Sequence, residues 1–294
     1  MLFRSVTDAH VVLGRISAEQ LLGGAMHIDV DRANAAVDRI AKELHLDRIQ
    51  AAAGIVRVAN ANMERAIRAV SVERGYDPRD FALVAFGGGG GLHACEIAGE
   101  LGIPSVIVPA YAGALSALGM ILADGVRDYA AGVLGKGGVE KAFAKLQAYA
   151  KRESPGADVE CTADLRYQGQ SYELNVAWNP HDPFAAFHRE HQKLYGYATP
   201  ERAVEIVTVR VRARRRFPKP RLVREKRQAA RVETRPVWVN SAWMELRVVP
   251  RTSIGERASI GPAVVLDYGS TTLVPEGWSY RVDRVGNLLM TNAR

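Results

Sequence analysis

Cysteine is almost absent from this chain of 294 residues: Cys95 and Cys161 stand far apart with no C-x-x-C spacing, and no bridge between them follows from the sequence. Two reduced thiols in a cytoplasmic protein are expected. Long apolar runs are lacking as well. None approaches the roughly 18 to 20 residues that a membrane span requires, and the N-terminus lacks the basic, apolar and small-residue order of a signal peptide, so no membrane partner is expected. No internal repeat or low-complexity tract is evident. What is present is 48% hydrophobic and 24% charged, an ordinary globular composition of a length that suits one large domain or two smaller ones.

Charge of one sign dominates only locally. The net charge of +7 invites a nucleic-acid reading until the charges are located. Residues 210–235 hold twelve basic and two acidic side chains, leaving 27 basic and 30 acidic in the rest of the chain. Phe217 is the one aromatic interleaved among those arginines and lysines, and half of the early arginines form the outer face of an alternating strand. No nucleic-acid partner is expected, and the basic stretch reads as a solvated face or a subunit contact.

The apolar residues Ala33, Ala36, Val37, Ile40, Ala41 and Leu44 recur at helical spacing and predict a helix over 31–44, with Asp29 or Asp31 at its start. A longer helix is predicted over 47–74, ended by Gly75. Residues 81–86 read as a strand covered on both faces, and five glycines then lead into a helix over 92–101 and a buried strand over 106–108. That β, glycine turn, α, β order implies a parallel sheet. A small-residue helix is predicted over 114–122. After 132–138 come a helix over 139–152, a hairpin of 159–167 with 171–178, a helix over 183–195 stopped by Gly196, and a strand over 203–213. On that last strand Val207, Val209, Val211 and Ala213 share one face, and Thr208, Arg210, Arg212 and Arg214 the other. The remaining residues are short strands between Gly and Pro turns, the pattern of a small barrel or sandwich.

The strongest chemical signal is ALVAFGGGGGLHACEIAGELG. A glycine turn between a strand and a helix lets backbone approach a ligand without Cβ clashes, and the helix start supplies free N–H groups for a nucleotide or phosphate. It has neither G-x-G-x-x-G spacing nor the G-K-S/T of a P-loop. A flexible tight turn is the alternative reading.

Taken in order, several segments resemble the hydantoinase A/oxoprolinase family, which includes acetone carboxylase β subunits. They are VTDAHVVLGR, LLGGAM, VANANMERAIRAVSVERGYDPRDF, LVAFGGGGGLHA, LGIPSVIVPAYAGALSALGMILAD, DLRYQGQSYEL, FHREHQKLYGY and GPAVVLDYGSTTLVPEGW. Many members have GGAGPLHA where this chain has glycine at Gly89 and Gly91. The resemblance implies an α/β fold, the C-terminal lobe of an actin-like ATPase fold over 6–132, followed by a β-rich α+β C-terminal domain over 133–294. It implies ATP and Mg²⁺ as cofactors, with adenosine held at Gly87, Gly88, Gly89, Gly90 and Gly91. Ser116 and Gly119 would belong to the small-residue helix beside the lobe hinge.

Family members are more than twice this length, and their N-terminal half carries a D-x-G-G-T phosphate-binding turn that this chain lacks. MLFRS also fits none of the patterns that follow, and Leu-Phe-Arg-Ser is a translation of a sequencing adapter. The expectation is therefore a C-terminal portion of the family, inactive by itself. The implied activity is ATP-dependent hydrolysis of a cyclic amide C–N bond, with a hydantoinase B-type subunit as partner in a hetero-oligomer. The β subunit of an ATP-dependent ketone carboxylase, or a non-catalytic assembly module, are the competing readings.

Asp8 and His93 lie in these motifs, which makes them candidates for a divalent metal or substrate contact. Local hydrogen bonding at a turn and a helix start is the plainer reading, because two ligands do not make a metal site. Asn60 and Asn62, mediocre helix formers inside a long helix, imply a polar contact or an exposed face. His188 and His191 flank charged residues and read as surface positions.

Overall fold

Ser5 and Asp8 form a capping box, each side chain meeting the other's backbone N–H, and they open a helix that the sequence reading did not anticipate, α1 (Val6–Val12). A computed structural model describes residues 5–19, 22–135, 137–222, 227–229 and 233–292. The first four residues of MLFRS, Leu21 of LLGGAM and part of the basic stretch lie outside the described residues. Two compact units result, Met1–Gly119 with Arg221–Arg294, and Met120–Pro220.

In the first unit, Asp29 caps α2 (Val30–Leu44), and an Asp47–Gln50 capping box opens α3 (Arg48–Val70). The inner faces of α1, α2 and α3 share a core of Ala9, Leu13, Val37, Ala52 and Val56. Next come β1 (Ala82–Val84), α4 (Gly90–Leu101), β2 (Ser105–Val108) and α5 (Leu115–Leu122). β1 and β2 are parallel, with Ala82 opposite Ser105, as the β–turn–α–β order requires. The expectation of a strand covered on both faces fails for β1. It is an edge strand with one neighbour, and Phe81, Val84 and Phe86 are each about half exposed.

The second unit holds β3 (Gly125–Gly132), α6 (Val139–Glu153), β4 (Asp158–Tyr167), β5 (Leu174–Ala177), α7 (Ala185–Tyr195) and β6 (Val204–Arg215). Its antiparallel sheet has the order β3-β6-β4-β5. Val209, Val211 and Ala213 are buried with Phe143, Leu165, Tyr167 and Phe187. The opposite face of β6 carries a ladder of ion pairs, Arg210–Asp164, Arg212–Asp128, Arg214–Glu160 and Arg216–Asp158, at 2.7, 2.7, 3.8 and 3.0 Å. Four of the twelve basic side chains of 210–235 are thereby matched by carboxylates on β3 and β4. His191 differs from expectation: it is fully buried, packed on Phe187 and Tyr167, with Nδ1 2.8 Å from the Tyr197 carbonyl oxygen.

The chain then returns to the first unit through β7 (Glu233–Val239), β8 (Ala242–Pro250), β9 (Ser259–Ile260), β10 (Ala263–Leu266), β11 (Thr271–Val274), β12 (Trp278–Val282) and β13 (Leu288–Asn292). Residues 261–290 are strand and turn, as expected. These strands do not close on themselves as a separate barrel, however. β13, β12 and β9 extend the sheet begun by β1 and β2, with Leu289 opposite Ile107, and β11-β10-β8-β7 form a second sheet against which α4 packs. The last seventy residues thus share a core with the N-terminal part, because the exposed side of β2 needs a partner strand and β13 supplies it.

Candidate functional site

Gly14 ends α1 in the left-handed region, at φ +68°, and its α-carbon lies so close to the Pro236 carbonyl oxygen that a Cβ would come within 2.5 Å of it. Glycine is required there. The tight passage lets Trp238 donate its backbone N–H to Leu13 O and swings Arg15 inward, where its Nε donates to Trp238 O at 3.3 Å. The Arg15 side chain is 7% exposed and faces Glu96 on α4, with Nη1 3.1 Å from Oε1. The contact is an ion pair, not an aligned hydrogen bond.

From Glu96 a chain of polar contacts runs into the interior. Asn60 Nδ2, on α3, donates to Glu96 Oε2 at 2.7 Å. Asn60 Oδ1 lies 2.6 Å from His93 Nδ1, and His93 Nε2 lies 3.1 Å from His10 Nε2. Asn60 with its amide so placed can only accept from His93, so His93 carries its proton on Nδ1 and offers a lone pair at Nε2. His10 Nε2–H donates to that lone pair. His10 Nδ1 is then a buried acceptor with no partner among the described residues. Burial, then His93, then Arg15 push the His10 pKa down to about 3. Burial, then Arg15, push that of His93 down to about 4. Both imidazoles are neutral near pH 7.

His10 did not figure in the sequence reading, and it is the residue that His93 meets. Asp8 has another task. Its carboxylate is 2.8 Å from the Ser5 backbone N–H as half of the α1 cap. With both His93 nitrogens engaged and Asp8 on the cap, the donor set does not fit a divalent ion, and no three His, Cys, Asp or Glu residues converge among the described residues. Of the two asparagines, Asn60 is buried and structural to this chain of contacts, while Asn62 is exposed.

The glycine turn lies at the start of α4, just before the turns that carry His93 and Glu96. Gly87 stands at φ +85° with open space where a Cβ would be, and Gly89 caps α4 with no side-chain hydrogen bond and no acidic residue in the first turn. The turn is held by Gly87 N–H to Ala112 O at 2.8 Å and by Thr271 N–H to Gly88 O at 3.0 Å. Gly91 packs directly on β11, where a Cβ would lie 2.2 Å from Thr272 Oγ1. A cavity of about 220 Å³ adjoins the turn, walled by residues 110–114, Arg251, Asp267, Tyr268 and Gly269. Ser116 and Gly119 are on α5, exposed, on a helix with no buried residue. The glycine turn therefore leaves room for an approaching nucleotide, with no side-chain cap at the start of α4 and no Cβ in the way, but contributes no carboxylate for Mg²⁺.

Residues 2–129 match the model of the Hydantoinase/oxoprolinase family. That is the N-terminal part of this chain, and it corrects the expectation that the chain represents a C-terminal portion of the family: the polar contacts and the glycine turn all fall inside the matched segment, and the later strands fall outside it. An uncharacterized protein of Methanocaldococcus jannaschii is 36% identical over 299 residues, covering 97% of this chain and 44% of that one. Caprolactamase subunit alpha of Pseudomonas jessenii is 33% identical over 313 residues, covering 95% and 45%. A crystal structure of that ATP-dependent caprolactamase matches with a TM-score of 0.67. A nucleotide-free structure of acetone carboxylase matches with a TM-score of 0.76 at 25% identity, covering 98% of this chain and 46% of that one. The chain spans less than half the length of these relatives. Its fold is an α/β fold with mixed sheets related to the actin-like ATPases, and its residues 2–129 are similar to the hydantoinase/oxoprolinase family.

Proposed function

We propose that the chain is the nucleotide-holding part of an ATP-dependent enzyme that activates a carbonyl oxygen, in the manner of a ketone carboxylase subunit. The observation that carries this reading is the uncapped glycine turn at the start of α4 inside the family-matched segment. The higher TM-score of the acetone carboxylase structure favours a ketone as the carbonyl compound. A cyclic amide is the second reading, favoured by the 33% identity to a caprolactamase subunit.

ATP, when bound, supplies a phosphoryl group to the carbonyl oxygen, which makes a poorly reactive amide or ketone reactive. The chain's own contribution is orientation and charge. The glycine turn Gly87 to Gly91 lets the nucleotide approach the N–H groups and the positive dipole end at the start of α4, Ser116 adds a hydroxyl from α5, and Gly119 keeps that helix surface low. Mg²⁺ would travel with the phosphates and retain water ligands, since the turn offers it none. A B-type subunit would complete the chemistry in a hetero-oligomer.

Gly89→Val tests the reading, because a Cβ at Gly89 meets only Leu92, at 4.0 Å, and so fills the turn without disturbing the core. The wild-type chain should bind Mg·ATP, followed by fluorescence of a labelled analogue, and the variant should bind at least about tenfold more weakly at unchanged thermal stability. Equal binding by both would overturn the assignment. ADP release by the full-length parent with its partner, supplied with acetone and bicarbonate or with caprolactam, then separates ketone from cyclic amide.

A further inference from the structure

Among the described residues four besides glycine stand in the left-handed region, His45, Tyr111, Asn240 and Ser241. Three have a local cause. His45 closes α2 as its C-cap, and Asn240 and Ser241 are the two-residue turn of the β7–β8 hairpin, whose favoured form puts both residues there. Tyr111, at φ +61°, does neither: it stands before a short 3₁₀ turn, Ala112–Ala114, on the way out of β2. A bulky aromatic residue is a true outlier in this region, and core packing does not account for it, because the side chain is 40% exposed.

The backbone on both sides leaves Tyr111 no room to relax. Ala110 N–H donates to Asn287 Oδ1 at 3.0 Å in the β12–β13 turn, and Asn287 is itself held by Asp283 Oδ2 at 3.0 Å. Ala112 O accepts the Gly87 N–H at 2.8 Å, and Gly113 lies against the Gly269 carbonyl with no room for a Cβ. Strain that the surroundings over-determine in this way gathers at binding sites. Here the strained residue lines the cavity of about 220 Å³ beside the glycine turn, whose other walls are largely apolar, Ala110, Ala112, Ile254, Val282 and Val285. An apolar slot with few polar groups suits a flat ring better than a phosphate.

We propose that Tyr111 is the positioning residue for the base of the bound nucleotide. This rests on the nucleotide reading and names the side chain that fixes the ligand's other end. With the phosphates at the start of α4, the base enters the cavity and stacks on the phenol ring, whose direction is set by the sign of φ at residue 111. Reversing that sign turns the Cβ to the other side of the chain, so relief of the strain and presentation of the ring exclude one another. The Ala112–Gly87 hydrogen bond joins the two ends of the site through one backbone contact, so base and phosphates are held at a fixed spacing.

The test measures Mg·ATP dissociation constants for the wild-type chain, Tyr111→Phe, Tyr111→Ala and Tyr111→Gly by competition with a fluorescent analogue, and thermal unfolding of each chain without ligand. Tyr111→Ala and Tyr111→Gly should each bind at least about tenfold more weakly, the scale of a base stacked on an aromatic ring, and Tyr111→Phe should stay within about threefold of the wild type. Both small residues lose the phenol, but glycine alone accepts the left-handed backbone without strain, so Tyr111→Gly should melt about 2 to 4 °C above Tyr111→Ala. Undiminished binding by Tyr111→Gly, binding by Tyr111→Phe as weak as by Tyr111→Ala, or equal melting of Tyr111→Ala and Tyr111→Gly would overturn the proposal. A wild-type chain that binds no Mg·ATP defeats the nucleotide reading and this inference with it. Mg·ATP binding that ignores residue 111 but falls in Gly89→Val defeats this inference alone.

Discussion

Acidification should unfold the first unit through two side chains. His10 and His93 have pKa values of about 3 and about 4 in the folded chain against an ordinary 6.5. A depressed pKa means that the unfolded chain binds protons first as pH falls, so the stabilising effect is whole above pH 6.5 and is lost between there and the folded values. At pH 5 the fall is 1.5 pH units below the unfolded pKa, worth about 2 kcal/mol for each imidazole at 1.36 kcal/mol per unit. About 4 kcal/mol for the pair is a large share of the roughly 5 to 15 kcal/mol of net stability of an ordinary domain. Urea unfolding at pH 7.5 and pH 5.0 measures it, with His10→Leu/His93→Leu as the variant that cannot titrate at these positions. The wild type should lose about 4 kcal/mol more than the variant over that interval. Equal losses in both would refute the reading, because every other histidine and carboxylate is common to the two proteins.

Three further outcomes are expected. Gly91→Ala places a methyl against Thr272 Oγ1 and the Thr271 carbonyl oxygen, both of β11, and should destabilise by about 1 to 3 kcal/mol in urea unfolding, whereas Gly87→Ala meets no atom and should show only the left-handed backbone cost of about 1 to 2 kcal/mol. Asp164→Ala removes the acceptor shared by Arg210 and Asn175 at a buried position and should cost about 1 to 3 kcal/mol, while Arg212→Ala, whose partner Asp128 is exposed, should leave the unfolding midpoint unchanged. Duplex DNA should not be retained at micromolar chain in 150 mM salt by gel shift, because four arginines along 210–216 are already matched by carboxylates.

Elements with both a periodic apolar face and a cap were legible: α2 and α3 begin within a residue or two of the places where Asp29 and Asp47 put them. α1 was not, although Ser5 and Asp8 at capping-box spacing were its available signal. β3 escaped because Gly125–Gly132 has no run of branched residues, and its conformation is set by eight paired residues on β6. The apolar run containing β1 was misleading for the opposite reason: hydrophobicity says that a strand is wanted against something, and not which chain covers it. His191 was misplaced by its charged neighbours, while Phe187 and His191, four residues apart, marked the buried face of α7.

The candidate site was legible as three separate segments and illegible as one place. Arg15 and His10 come from VTDAHVVLGR, Asn60 from VANANMERAIR, and His93 and Glu96 from GGLHACE, and no spacing along the chain says that they meet; the closest pair of imidazoles is 83 residues apart. Physical accounting after folding makes the convergence informative. Three helices packed on Ala9, Val37, Ala52 and Val56 could bury aliphatic side chains at these positions at least as stably, since buried polar groups repay their desolvation only when every hydrogen bond is made. Here they are not all made: among the described residues His10 Nδ1 has no hydrogen-bond donor at one end of the contact chain, while Arg15 at the other end meets Glu96 as an ion pair. A buried polar chain with an acceptor left open at His10 is poorly explained by stability alone and better explained by what it holds in place, which is the carboxylate of Glu96 beside Arg15.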